Sequence, residues 1–455
     1  MAIIDNLGSL FSILSFILFW GVVLIVAIRS ISVALGRYHS HVGAVGLRKF
    51  ALRLITENTN TQVAVGESRT LHTNLKIIIF GLCIRLATLV LAYIVIGRSG
   101  GWDISISQVF HSFNRWDAGH YLGIAEQGYN FRYDHYGRNL FVVFFPLYPY
   151  LVRAVAAVVR SYFVAAYVVS FASYLGALVF LFHLVKIDFS HRTAWWAVIL
   201  ISIFPGSHFF GAPYTESLFI LTTIATLYYI RKHEWLMAGM WGALATATRM
   251  VSVVLIAAME FAMTHNIFAE IKKGNWKRFF KLLGQVALIS LLMLVGTGIY
   301  LLINWHYTGD ALRFLYFQET HWNNGFLYFG SALRMQFDIM QHIDISWYNI
   351  ANNSTLYIHG LNILAIGFVI WMLVYGCHRR NNAAFLTYSL GYTFVSFSMV
   401  WLISGGRYAA ALVPVFISLA EFTARKKYRW VVVPLVLVPL FIIVTRMYVL
   451  GGWVL

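Results

Sequence analysis

The residues best suited to chemistry lie in one short stretch, Asn114-Arg115-Trp116-Asp117-Ala118-Gly119-His120-Tyr121, which runs on to Gly128-Tyr129. A carboxylate and an imidazole are the usual proton carriers of catalysis. Asp117, His120 and Tyr121 are three and four residues apart, so a helix puts them on one face. Asn114 is placed to cap that helix, Asp117 then falls at its third position, and Gly128 suits its end. Trp116 would anchor it at headgroup depth. A plainer reading stands beside this one: Asp117 complements the helix dipole and His120 is an interfacial amphipathic residue.

Further along, Phe144-Phe145-Pro146-Leu147-Tyr148-Pro149 and the run from Phe204 to Phe219 take four of the seven prolines. Proline lacks a donor and locks its backbone, so both segments must bend. Glu216 follows the second bend. It either complements a helix dipole or is an acid at membrane depth, where ionisable groups mark function. Arg249 sits within an apolar stretch and Arg407 follows Gly405-Gly406. Each either snorkels to the headgroups or pairs with an anion, and a planar guanidinium is the favoured partner of phosphate.

The elements that must position these residues are membrane helices. Of 455 residues 60% are hydrophobic and 11% charged, whereas soluble chains carry about 25% charged residues. Runs of roughly 20 apolar residues recur, the length needed to cross a hydrocarbon core. The fold expected is an all-α polytopic membrane protein of about 11–13 transmembrane helices with two large outer loops. Spans are read near 10–28, 77–97, 141–159, 162–185, 193–209, 213–230, 236–262, 282–304, 358–377, 384–403, 408–422 and 430–449. Before the first, Asp5 stands without Lys or Arg, which favours a retained helix over a cleaved leader. Cys83 and Cys377 both fall in apolar runs and imply no disulfide framework.

A net charge of +17 would suit nucleic acid, but the cations flank the spans, so a lipid bilayer is the partner and nucleic acid is not. Basic clusters at Arg29–Lys76, Lys272–Lys281, Arg379–Arg380 and Arg425–Arg429 are assigned to the cytoplasmic side. The loops at 98–140 and 306–357 then face outward, the second carrying Asp310, Glu319, Asp338 and Asp344. Simple alternation would put Arg231 and Lys232 outside, against the same tendency. Breaks at Pro205 and Pro213 would resolve this if the stretch re-enters the membrane, which is tolerated in a protein-lined cavity. Residues 1–76 are read as an N-terminal helix with a basic cytoplasmic segment, and 77–455 as the transmembrane catalytic domain.

RWDAGHY at 115–121, IAEQGY at 124–129, FFPLYP at 144–149 and PGSHFFGAPYTESLF at 205–219 resemble the motifs of the PIG-V-type mannosyltransferases, within the GT-C class of membrane glycosyltransferases. The resemblance covers roughly 77–422 and is weakest in the second outer loop. It implies a GT-C-type bundle, a polyprenyl-phosphate mannose donor, a glycan or glycolipid acceptor, extracytoplasmic or lumenal transfer, and inversion. It makes Asp117 the catalytic base, with Arg249 or Arg407 facing the leaving phosphate and Glu216 and His120 positioning sugar or acceptor. Arg115, Tyr121 and Tyr408 complete the expected substrate-binding set. No cofactor or metal is expected, since there is no DxD pair, compact histidine spacing or Gly-rich nucleotide loop. The rivals are a transporter or flippase for a lipid-linked sugar, and an assembly partner without catalysis. Overlapping glycosylation sequons begin at Asn352 and Asn353.

Overall fold

The computed structural model describes residues 2–34, 68–130, 139–341, 354–379, 381–400 and 402–452. Asp344, Asn352, Asn353 and most of the basic segment before Lys76 fall outside the described residues. What is described is an all-helical, multi-pass integral membrane protein. Among the described residues seven helices are long and apolar enough to cross a bilayer, or up to nine when each of two bent pairs counts as one span. These pairs and the shorter helices account for the other apolar segments of the sequence.

The long helices are α1 (Ala2–Ala34), α2 (Ser68–Gly100), α6 (Tyr162–Asp188), α10 (Val254–Lys272, entered through a 3-10 turn), α11 (Trp276–Thr308), α14 (Ser354–His378) and α18 (Arg429–Val449). Short helices gather at one end of the bundle: α3 (Ile106–His111), α4 (Asp117–Gln127), α5 (Leu147–Val159), α12 (Arg313–Trp322) and α13 (Phe329–Gln341). The remaining helices are α7 (His191–Ile203), α8 (Glu216–Arg231), α9 (Trp235–Thr246), α15 (Ala383–Phe397), α16 (Gly405–Ala411) and α17 (Val413–Ala424).

Cations collect at the opposite end. Arg231 at the foot of α8 bonds Asp188 at the foot of α6 at 2.6 and 2.9 Å. Asn74 near the start of α2 bonds His183 of α6 at 2.7 Å. Arg192, opening α7, lies 4.9 Å from the Trp430 ring of α18, and Arg379 after α14 bonds Glu421 of α17 at 2.7 Å. These contacts bring the starts of α2, α7 and α18 and the ends of α6, α8, α14 and α17 to one basic end.

Three hairpins start from that end. The first is α7, a 3-10 turn at Pro205–Gly211 and α8. Its chain bends by 83° at Pro205 and returns, so Arg231 and Lys232 rejoin the other cations. The second is α9, a 3-10 turn at Met250–Val253 and α10. Here the single span expected over 236–262 is instead two helices, because Arg249 adopts an extended backbone (φ −156°, ψ 142°) that ends α9. The third is α15, an extended strip, α16 and α17, with a 74° bend between the last two. With 13, 12 and 15 residues, the ascending arms reach only about 18–22 Å, short of the roughly 30 Å core. Their tips therefore end inside the bundle.

Small residues let the tips converge. A Cβ on Gly296 of α11 would lie 2.1 Å from the Ala243 carbonyl oxygen and 2.4 Å from the Ala247 nitrogen of α9, so only glycine permits that approach. Gly206 plays the same part between the first and third tips, where a Cβ would meet the Gly406 carbonyl oxygen at 2.7 Å.

Candidate active site

Each hairpin tip carries one charged residue: Glu216 opens α8, Arg249 follows α9 and Arg407 lies in α16. The fourth, Asp117, opens α4 from the far end. The four form one chain of alternating charge. Arg407 Nη1 donates to Asp117 Oδ2 at 2.9 Å, and Arg407 Nε donates to Glu216 Oε1. Arg249 Nη2 donates to the same Glu216 oxygen, while Arg249 Nε reaches Thr215 Oγ1 at 3.2 Å. Exposure is graded along the chain: the side chain of Asp117 is 32% exposed, Arg249 16%, Arg407 7% and Glu216 fully buried. The two ends of the chain therefore face open space, and the middle is locked in protein.

The Arg407 guanidinium lies over the rings of Tyr214 at 4.8 Å and Phe209 at 5.2 Å, a placement that stabilises a desolvated cation. Its helix is held from behind. Asn362 of α14 accepts from the Gly405 N–H at 2.8 Å and donates to the Leu402 carbonyl at 2.6 Å. Gln336 of α13 accepts from Asn362 at 3.2 Å and stands 2.6 Å from His359 Nδ1. This buried network ties the far-end helix α13 to the arginine's own turn.

Asp117 is positioned differently from the sequence expectation. Asn114 does not cap α4, and Asp117 is its first residue, not its third. Trp116 occupies the cap position at φ 52°, ψ −121°, without a side-chain cap bond. A positive φ is costly for a bulky residue and persists where neighbours over-determine it. Here the Tyr214 hydroxyl bonds the Arg115 carbonyl at 2.5 Å on one side of Trp116, and Arg407 holds the Asp117 carboxylate on the other. Gly128 ends the helix at φ 78°, as its type predicts.

The other expected residues divide. Tyr121 is buried one turn beyond Asp117, its ring edge-on to Phe144, Tyr148 and Tyr214. Burial, and secondarily the Asp117 carboxylate, push its hydroxyl up to about 12, so it stays protonated. His120 is half-buried with its ring 4.9 Å from Phe141 and 5.3 Å from Phe144. Arg115 points away from the charge chain, to the carbonyls of Ser112 at 3.3 Å and Val449 at 3.0 Å. Tyr408 packs edge-on against Phe397, and its carbonyl accepts from Tyr392. Neither Arg115 nor Tyr408 joins the four charges.

Two supporting residues escaped the sequence reading. Arg85 of α2 is 3% exposed and donates to the Ser207 carbonyl at 2.6 Å and the Ser202 carbonyl at 3.1 Å. It satisfies acceptors that the bend after α7 strips of helical partners. A lone cation in the apolar run 77–97 was the available signal. Asn362, also inside an apolar run, was legible in the same way. Among the described residues no group of three or more His, Cys, Asp or Glu side chains could hold a metal ion.

Fold and site together define a polytopic membrane protein with an internally neutralised acid–arginine chain reaching toward its non-basic end. Residues 87–332 match the family model described as mannosyltransferase (PIG-V). The chain belongs to that family. It is 26% identical over 204 residues to GPI alpha-1,6-mannosyltransferase 2 of Cricetulus griseus, a match covering 41% of this chain and 39% of that one. It thus spans about two fifths of the length of that curated relative. Among solved structures, the Archaeoglobus fulgidus oligosaccharyltransferase in its apo form aligns with a TM-score of 0.40 and 12% identity, over 81% of this chain and 56% of that one. The same enzyme tethered to an acceptor peptide aligns with a TM-score of 0.41 and 14% identity, over 81% and 55%.

Proposed function

We propose that the protein is an inverting GT-C glycosyltransferase that moves mannose from a polyprenyl-phosphate donor to a glycan or lipid acceptor on the extracytoplasmic side. The observation that carries this reading is the partly open Asp117 carboxylate, fixed by Arg407 at the end of the bundle opposite the cations. Positive-inside orientation would make that end extracytoplasmic.

In this reading Asp117 takes the proton of the acceptor hydroxyl as its oxygen attacks the anomeric carbon of mannose. The bond from that carbon to the phosphate oxygen breaks in the same displacement, and polyprenyl phosphate leaves with the bonding pair. One displacement inverts the centre and needs one base. The leaving group needs little protonation, and the guanidinium of Arg249 or Arg407 stabilises the charge it gains. Tyr121, buried one turn beyond Asp117, and His120 line the same face of α4. Residues 77–455 form the catalytic unit in this scheme.

Re-entrant hairpins also line substrate paths in carriers, so the test must separate transfer from transport. Purified protein in sealed vesicles is given polyprenyl-phosphate mannose labelled in the sugar. Label appearing in an acceptor glycan or glycolipid supports the enzyme. Label crossing the membrane on its original lipid supports a flippase, and neither result supports an assembly partner.

A further inference from the structure

Glu216 is the one member of the charge chain that cannot reach an open surface, yet one of its two oxygens, Oε1, accepts from both guanidinium groups. The two arginines are not equivalent. Arg407 is nearly buried, bonded to two carboxylates and lies over two rings. Arg249 is more open: among the described residues its terminal fork hydrogen-bonds only Glu216, and its guanidinium lies 5.4 Å from the Phe219 ring. Its Nε is anchored separately on Thr215, so the fork can change partner while the stem stays fixed.

We propose that Glu216 is a product-release residue, a built-in anion that competes with polyprenyl phosphate for the Arg249 fork. This rests on the lipid-phosphate donor reading given above. Its chemical basis is a charge difference between donor and product. The donor is a phosphodiester with one negative charge. The product is a monoester carrying about 1.5 to 2 at neutral pH. An Arg249 fork without a carboxylate partner would therefore hold product more tightly than donor, and turnover would stall. With Glu216 in place, a phosphate must displace a carboxylate that returns when the phosphate protonates or drifts away. The buried anion thus lowers affinity for both lipids, and lowers it most for the more highly charged one. Arg407 keeps its bond to Asp117 throughout, which separates leaving-group binding from the placement of the base.

The experiment measures equilibrium binding of polyprenyl phosphate, polyprenyl-phosphate mannose and uncharged polyprenol to full-length protein in nanodiscs, for wild type and Glu216→Gln. The amide keeps the shape and removes the charge. The variant is expected to bind polyprenyl phosphate about tenfold more tightly, to gain less for the donor and nothing for polyprenol. Its kcat falls and becomes limited by product release, seen as a burst of the first turnover. Adding Arg249→Gln should abolish the gain. Should Glu216→Gln fail to give a cooperative thermal transition, Glu216→Asp, which draws the carboxylate back by one methylene, is expected to show the same ordering with a smaller gain. Equal or weaker polyprenyl phosphate binding in a folded variant overturns the proposal alone. Wild-type protein that prefers neither phosphate lipid over polyprenol overturns both it and the donor assignment.

Discussion

Replacing Asp117 with Asn is the perturbation whose magnitude separates a base from a structural acid. The amide oxygen can still accept from Arg407 Nη1, which stands 2.9 Å from the carboxylate, so the chain of contacts is retained. What is lost structurally is one charge at a helix start, worth about 0.3–1 kcal/mol, and one of the two carboxylates on an arginine that is only 7% exposed and keeps its bond to Glu216. The second loss lies above the ~1 kcal/mol of a surface pair and below the roughly 3–5 kcal/mol of breaking a fully buried one. A stability change of about 1–4 kcal/mol lowers the thermal midpoint by several degrees but leaves the rate of the protein that stays folded untouched. Loss of a general base instead costs about 10² to 10⁴ in rate, or roughly 2.7–5.5 kcal/mol of barrier. The assay is transfer from labelled polyprenyl-phosphate mannose at saturating donor. Thermal unfolding and donor binding are measured on the same preparation. A folded Asp117→Asn protein that binds donor and transfers within a few-fold of wild type would refute the base assignment.

Three further outcomes are expected. A single cysteine at Gln127, on the helix that Asp117 opens, should label from outside sealed vesicles and one at Lys277 only from the cytoplasmic side; the reverse pattern would invert the proposed site. Arg249→Lys keeps a charge but loses the planar fork, so it should raise donor KM several-fold with unchanged thermal stability, and an unaltered KM would remove Arg249 from phosphate handling. Gly296→Ala forces a methyl against the α9 backbone that a Cβ would approach at 2.1 Å, an overpacking cost of about 1–3 kcal/mol; a variant melting like wild type would show that α9 does not depend on this contact.

Much of the site was legible as separate parts. Glu216, Arg249 and Arg407 stand out in sequence because an ionisable residue in apolar surroundings is expensive and therefore needs a reason. That they answer one another was not legible. The partners lie 33, 191 and 290 residues apart, and no local periodicity encodes such pairings. The α4 cap was misread because Trp116 takes its backbone angle from bonds supplied by Tyr214 and Arg407, which override the local preference for Asn as a cap. The break in 236–262 was invisible to hydropathy, since Ala247, Thr248 and Arg249 interrupt an otherwise apolar run without proline or glycine. The turn of the chain at Pro205 was legible, because proline chemistry and the charge of Arg231 and Lys232 argued for it independently.

The alternating chain also constrains how the molecule can be built. Asp117, Arg407, Glu216 and Arg249 sum to no net charge only when all three hairpins are seated. Until then the seated part of the set carries unbalanced negative charge, a state disfavoured in hydrocarbon. The Glu216 hairpin leaves the ribosome first, the Arg249 hairpin follows and can neutralise it, and Arg407 comes last, after α14 has supplied Asn362 to receive its helix. A nascent chain that stops before Gly405 therefore leaves Asp117 without Arg407, and the third hairpin is the element that brings the set to balance.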